Sequence, residues 1–255
     1  MGGQDKVMVL GVLGGMGPMA GATFAARVVA LTPAARDQDH LPLILCNDPR
    51  VPDRSAARLG QGDDPLPAML RGLRLLERAG AGLVAIPCNT AHLWYRQLAA
   101  ATALPVLHII EAVADDLERL GAAGYRVGLM GTAATLQSGL YRDPLQRRGF
   151  EVLDTQADEV RLCTEAIEAV KANAPEQAFA PAAACIRRLV ERGAQAVVLG
   201  CTELPLAVPH AQRGAFGAVL TDSIDALARA AIRRCTEDAP ATLTPWVQPE
   251  PEGRS

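Results

Sequence analysis

The chain has 255 residues and a mass of 26.8 kDa, enough for one large domain or two small ones. Apolar residues make up 49% and charged residues 21%, which excludes wholesale disorder. A net charge of −3 and only four Phe, two Trp and three Tyr leave neither the electrostatic footprint nor the stacking surface of a nucleic-acid binder. The first apolar run, 7–13, reads as a strand and is too short for a signal sequence or a membrane span. Position 6 is Lys, where a myristoylation site needs a hydroxyl residue. A cytoplasmic protein without membrane contact is the expectation.

Further short Val/Ile/Leu runs follow at 43–46, 83–86, 106–109, 126–130, 152–155, 196–199 and 218–220. They alternate with amphipathic stretches at 19–31, 66–79, 91–101, 111–121, 138–148, 158–172, 176–192 and 223–235, which predict helices. This alternation is the pattern of βαβ units around parallel sheets. From Thr236 onward Pro240, Pro245, Pro249 and Pro251 interrupt a stretch without apolar periodicity, so 236–255 is expected to be a disordered tail.

An internal repeat organises the chain. Gly80-Ala81-x-x-Val84-x-x-x-Cys88 returns as Gly193-Ala194-x-x-Val197-x-x-x-Cys201, with one constant offset at every matched position. Leu10-Gly11-Val12-Leu13-Gly14 is echoed by Val127-Gly128-Leu129-Met130-Gly131. Each half therefore ends a buried strand near a cysteine, and ligands in open α/β sheets bind outside the carboxyl ends of strands. If the halves face each other, Cys88 and Cys201 confront one another across a cleft. Such a pair suits proton removal from one face of a carbon and return to the other, provided the surroundings bring one thiol, ordinarily near pKa ~8.5, within reach. Cys46, Cys163, Cys185 and Cys235 read as small core residues.

The glycine-rich exit of the first strand, 10–18, departs from G-x-G-x-x-G, and no acidic ribose ligand follows a second strand, which argues against a nicotinamide site. Its tight turn, with Met16 and Gly17, can still bring main-chain amides to an anionic ligand. Arg54, in the loop Val51-Pro52-Asp53-Arg54, can clamp a carboxylate, or it is a solvated loop charge. Lys171 ends a predicted helix, where a cation also suits the helix dipole. Asn89, Thr90 and Thr202 stand beside the thiols as hydrogen-bond donors for a developing carbanion. Zinc held by Cys88, His92 and Cys201 is the weaker reading, because the nearest further ligand to Cys201 is His210. His92 and Glu203 are expected to support the site from behind.

Five segments together resemble the aspartate/glutamate racemase family: Leu-Gly-Gly-Met-Gly-Pro (13–18), Pro-Asp-Arg (52–54), Pro-Cys-Asn-Thr-Ala-His (87–92), Thr-x-x-Thr-x-x-Ser-Gly-x-Tyr (132–141) and Gly-Cys-Thr-Glu (200–203). Glu203 in the last motif, where bacterial glutamate racemases carry His, points to the aspartate racemase branch. The resemblance spans about 7–235. It implies two pseudo-symmetric Rossmann-like α/β domains with parallel sheets and the active site in the cleft between them. The expected division is 1–108 plus 222–235 and 109–221.

It also implies a homodimer and racemisation of a small acidic amino acid, aspartate or glutamate, without pyridoxal phosphate or a metal. Cys88 and Cys201 match the catalytic thiols. Arg54 and Lys171 match the residues that clasp the side-chain carboxylate. Asn89, Thr90 and Thr202 match the α-carboxylate donors, with Ala91, Thr132, Thr135, Met16 and Gly17 close by. Ser223 departs from the pattern, since many relatives have Pro there, and Cys46 stands where relatives often have an Asn-rich stretch. The rival expectations are a maleate-type isomerase that attacks through one Cys, and a small-molecule binding relative that retains its thiols as packing.

Overall fold

The computed structural model describes residues 8–237, which fold into two parallel β-sheets wrapped by helices. The first sheet contains β1 (Leu10–Gly14), β2 (Leu43–Asn47) and β3 (Leu83–Ala85), ordered β2-β1-β3. The second contains β4 (Arg126–Met130), β5 (Glu151–Val152), β6 (Ala196–Leu199) and β7 (Val219–Asp222), ordered β5-β4-β6-β7. All strand pairings are parallel, so every connection is a crossover. In chain order the helices of the first half are α1 (Pro18–Leu31), α2 (Arg54–Arg58), α3 (Leu66–Arg78) and α4 (Tyr95–Ala100). Helix α5 (Ile109–Arg119) leads into the second half, which carries α6 (Ala133–Gln137), α7 (Arg142–Arg147), α8 (Ala157–Lys171), α9 (Pro175–Glu191), α10 (Leu204–Ala207) and α11 (His210–Arg213). The last helix, α12 (Ser223–Glu237), packs against α1 and α5.

Each central strand is buried on both faces, and its alternate residues enter different cores. Leu10, Val12, Val127, Leu129 and Val198 join Phe24, Val113 and Leu227 in one apolar cluster shared by both sheets with α1, α5 and α12. The opposite faces supply Leu13, Val84 and Ile86 to a cluster with α3, and Met130, Val197 and Leu199 to another with α8 and α9. This double burial is why the strands read as unbroken apolar runs.

The repeat survives as register. Gly11 lies opposite Val84, and its counterpart Gly128 lies opposite Val197. A Cβ on Gly11 would come within 2.8 Å of the Ala81 Cβ, and one on Gly128 within 3.0 Å of the Leu189 Cβ. The two glycines therefore let a neighbouring segment close tightly onto the central strand of each sheet.

Four expectations need correction. The strand at 106–109 contracts to a single bridge between Val106 and Val84, because Pro105 precedes it and α5 starts at Ile109. The helix at 91–101 opens as a 3-10 turn, Thr90–Trp94, before α4. The helix at 138–148 shortens to α7, starting only at Arg142 after Gly139, whose φ of +72° interrupts right-handed winding, while the separate short helix α6 precedes it at Ala133–Gln137. The tail does not begin at Thr236, whose hydroxyl donates to the Ile232 carbonyl within α12; 238–255 lies outside the described residues. Among the described residues no helix is long and apolar enough to cross a membrane.

Candidate active site

Both repeat cysteines lie just past a strand end. After β3 the chain runs through Pro87 to Cys88, whose N–H donates to the Ile86 carbonyl at 2.8 Å, and then enters the 3-10 turn. After β6, the Gly200 N–H donates to the Met130 carbonyl at 2.8 Å and carries Cys201 off the second sheet. The two thiols wall one narrow cavity. Both are nearly closed to solvent, Cys88 at 5% and Cys201 at 6% exposure. Segments of both halves complete the wall: Met16, Arg54, Asn89 and Thr90 from the first, and Thr132, Lys171, Thr202 and Glu203 from the second.

Positive charge enters from two helix ends. Asp53 caps α2, its Oδ1 accepting the Ala56 N–H at 2.7 Å, and so fixes Arg54 as the first helical residue. Arg54 is 8% exposed, and its Nη1 donates to the Val51 and Pro52 carbonyls at 3.2 and 3.0 Å. Its Nε is buried without a partner, and among the described residues no carboxylate pairs with the guanidinium. A buried, unpaired guanidinium edge is costly unless an anion meets it. Lys171, the last residue of α8, reaches the same cavity from the other half. Burial pushes the Asp53 carboxyl up, yet the Ala56 N–H, Lys171 and Arg54 together hold it below the usual carboxylate value.

Hydroxyls and one carboxylate finish the lining. The Thr90 Oγ1 lies 3.1 Å from that of Thr132 and 3.0 Å from that of Thr135, tying the two halves together. The Cys201 Sγ donates to the Glu203 Oε2 at 3.0 Å, and the Thr202 hydroxyl donates to the same oxygen at 3.3 Å. Burial first, and then the Glu203 charge, push the Cys201 thiol well above its ordinary value, partly opposed by Lys171. Cys201 therefore rests as a protonated thiol. The site thus offers a protonated thiol from one half, a second thiol from the other, and two cations on the same cavity.

Comparison with known proteins gives this geometry its context. The sequence profile described as Asp/Glu/hydantoin racemase matches residues 13–231. The chain belongs to the Asp/Glu/hydantoin racemase family. It is an amino-acid racemase by that membership. An aspartate racemase from Picrophilus torridus shares 30% identity and a TM-score of 0.79, over 89% of this chain and 94% of that one. The broad specificity amino-acid racemase RacX of Bacillus subtilis (strain 168) is 27% identical over 210 residues, covering 80% of this chain and 89% of the relative. A glutamate racemase from Francisella tularensis subsp. tularensis SCHU S4, solved with D-glutamate, has a TM-score of 0.66 at 17% identity over 92% of this chain and 82% of that one, a likeness of fold alone.

Not every expected residue of this racemase reaches the cavity. Ala91 is fully buried in the core of the first half, and Thr135 stands behind Thr90 and Thr132 without touching the cavity wall. Gly17 lines the groove outside, where a Cβ would meet the Glu203 Oε1 at 3.3 Å. His92 faces a different groove. Its Nε2 accepts the Ile109 N–H at 3.1 Å, so its Nδ1 carries the proton and donates to the Cys88 carbonyl at 2.9 Å. Burial, and then His108, lower its pKa to about 3. With both ring nitrogens committed to main chain, His92 is not placed to share a metal ligand set with the thiols. Among the described residues a ligand-capable cluster occurs at His210, Asp222 and Asp225, but Arg213 and Arg27 already pair those carboxylates at 2.5 and 2.6 Å.

The sequence reading passed over Asp53 and Ser55 on the wall, and Tyr141 and Ser223 behind Asn89. Tyr141 was visible as the last member of the 132–141 motif. Ser223 was visible as a departure from it.

Proposed function

We propose that this family member racemises an acidic amino acid, aspartate above all, by two-base proton transfer between Cys88 and Cys201, without a cofactor. The observation that carries the reading is that both repeat thiols wall one small cavity together with an Arg54 whose buried Nε has no protein partner. Arg54 and Lys171 would receive the side-chain carboxylate. Asn89, Thr90, Thr132 and Thr202 would surround the α-carboxylate, where charge builds as the Cα–H bond breaks.

In one direction Cys88 serves as the base, taking the Cα proton onto its sulfur. The carbanion then takes the Cys201 proton on its opposite face, leaving the Cys201 thiolate. The Glu203 carboxylate opposes that thiolate and makes it a strong base for the return reaction, while Lys171 moderates the cost. The likeness to the Picrophilus torridus aspartate racemase supports aspartate; the likeness to a broad specificity racemase makes other amino acids the necessary comparison. The homodimer implied by the family resemblance belongs to this reading and is tested by light-scattering mass.

The deciding experiment incubates the enzyme with L- or D-aspartate in heavy water and follows deuterium at Cα by NMR, with glutamate and alanine alongside. Exchange with inversion on aspartate is the expected result. Aspartate without exchange, or alanine turned over faster, overturns the assignment. A covalent adduct on Cys88 with maleate selects an isomerase instead.

A further inference from the structure

Behind the cavity a buried chain of hydrogen bonds connects three segments distant in sequence. The Tyr141 hydroxyl, in the turn between α6 and α7, donates to the Asn89 Oδ1 at 2.6 Å. The Asn89 Nδ2 donates to the Ser223 Oγ at 2.9 Å. The Ser223 hydroxyl donates to the Leu199 carbonyl at the end of β6, at 3.3 Å. Tyr141, Asn89 and Ser223 are each at most 2% exposed. None of the three bonds is made within one half's own strand or helix ladder.

The chain has only one consistent direction. A carbonyl oxygen can only accept, so Ser223 must spend its proton on Leu199 and must accept from Asn89. That requirement turns the Asn89 amide nitrogen toward Ser223 and leaves its oxygen for Tyr141, which must donate. Burial pushes the Tyr141 hydroxyl well above its ordinary pKa, with the nearby Cys201 and Asp222 adding to it, so the donor stays protonated. The ring fits because residue 200 is Gly: a Cβ there would lie 3.0 Å from the Tyr141 Cε2 and 2.8 Å from the Met130 carbonyl oxygen.

We propose that Tyr141 and Ser223 are positioning residues that lock the Asn89 amide so that its remaining N–H, and not its oxygen, meets the substrate's α-carboxylate. The proposal rests on the racemase reading above and extends it. An amide's two ends are nearly equal in size, so nothing steric prevents a half-turn. Reversed, Asn89 would present an acceptor to an anion and replace attraction with repulsion. The lock belongs to the ground state of the free enzyme, so no reorganisation is needed when substrate arrives.

The test is a double-mutant cycle on Asn89→Ala and Tyr141→Phe, read as KM and kcat for L-aspartate and as Kd for succinate, a dicarboxylate with no Cα proton to exchange. Tyr141→Phe alone is expected to weaken succinate and raise KM about five- to twentyfold, the scale of a lost buried hydrogen bond. In the Asn89→Ala background the same change should have no further effect, because the residue it positions is gone. Equal effects in both backgrounds, or no effect of Tyr141→Phe, overturn the proposal. Should Tyr141→Phe fail to fold, Ser223→Ala runs the same cycle, with Ser223→Thr expected to restore binding by returning the hydroxyl. Wild type that binds succinate but exchanges no aspartate defeats the racemase reading alone, and the Kd cycle still decides the lock. Wild type that does neither defeats both.

Discussion

The Cys201 thiol donates to the Glu203 carboxylate at 3.0 Å, and both belong to the loop that follows β6. Burial is the first cause of the raised thiol pKa and the Glu203 charge the second. In Glu203→Gln an amide oxygen can still accept from the thiol, but the negative charge is gone. Cys201 should then ionise at lower pH. In the direction that uses it as the acid, the alkaline limb of kcat/KM moves to lower pH; in the direction that uses it as the base, the acid limb moves the same way. Profiles from pH 6 to 10 in both directions check this, and a limb that stays put removes Glu203 from the proton transfer.

Arg54 and Lys171 differ in burial, and their variants should differ accordingly. Arg54 is buried with an unpaired Nε, whereas Lys171 is exposed at the helix end. Arg54→Lys keeps the charge but loses the planar fork, so kcat/KM for aspartate should fall about 30- to 100-fold, a loss of about 2–3 kcal/mol. Lys171→Met should cost less, about tenfold, because water screens its charge. Neither change should reduce turnover of alanine comparably. Equal losses on aspartate and alanine would show that the pair does not read the side-chain carboxylate.

The division between what the sequence disclosed and what it hid follows the range of the interactions. Cys88 and Cys201 were legible because a strand end and the residue after it form a local pattern, and the chain contains that pattern twice. The loop sequence alone leaves Arg54 open between a carboxylate clamp and a solvated charge, and only the family resemblance assigns it a role. Ala91 and Thr135 were misplaced because their motifs fix a position along the chain but not which side of the 3-10 turn or of α6 faces the cavity. Tyr141 resembles any core aromatic until its hydroxyl is seen to reach Asn89, fifty-two positions away. The break at Gly139 and the loss of the 106–109 strand both turn on single residues whose backbone state depends on the packed fold.

Gly11 and Gly128 occupy matched places in the two sheets but meet different obstacles. A Cβ at Gly11 faces the Ala81 Cβ at 2.8 Å and the Leu83 carbonyl oxygen at 3.3 Å, neither of which can rotate away. At Gly128 the obstacle is the Leu189 side chain at 3.0–3.1 Å, whose outer atoms can shift. Gly11→Ala should therefore destabilise by about 2–3 kcal/mol and Gly128→Ala by about 1–2 kcal/mol, the usual range for overpacking. Urea midpoints at constant m-value measure the difference, and a reversed order would contradict the packing argument.

His92 makes the folded state sensitive to acid. In the unfolded chain it takes a proton near its ordinary pKa of 6.5; in the fold, burial and then His108 delay this to about 3. The folded pKa is depressed, so the contribution to stability is complete above pH 6.5 and is lost as pH falls toward 3. Over the whole window the loss is on the order of 5 kcal/mol, approaching about 1.4 kcal/mol per pH unit once the unfolded imidazole is charged. His92→Asn removes the titration while leaving an amide that can serve the Cys88 carbonyl. Its unfolding free energy should be lower than wild type at pH 7.5, with the gap narrowing by about 1–2 kcal/mol at pH 5. A gap that stays constant between those pH values would mean that His92 is protonated in the native protein, and its Nε2 could then no longer accept the Ile109 N–H.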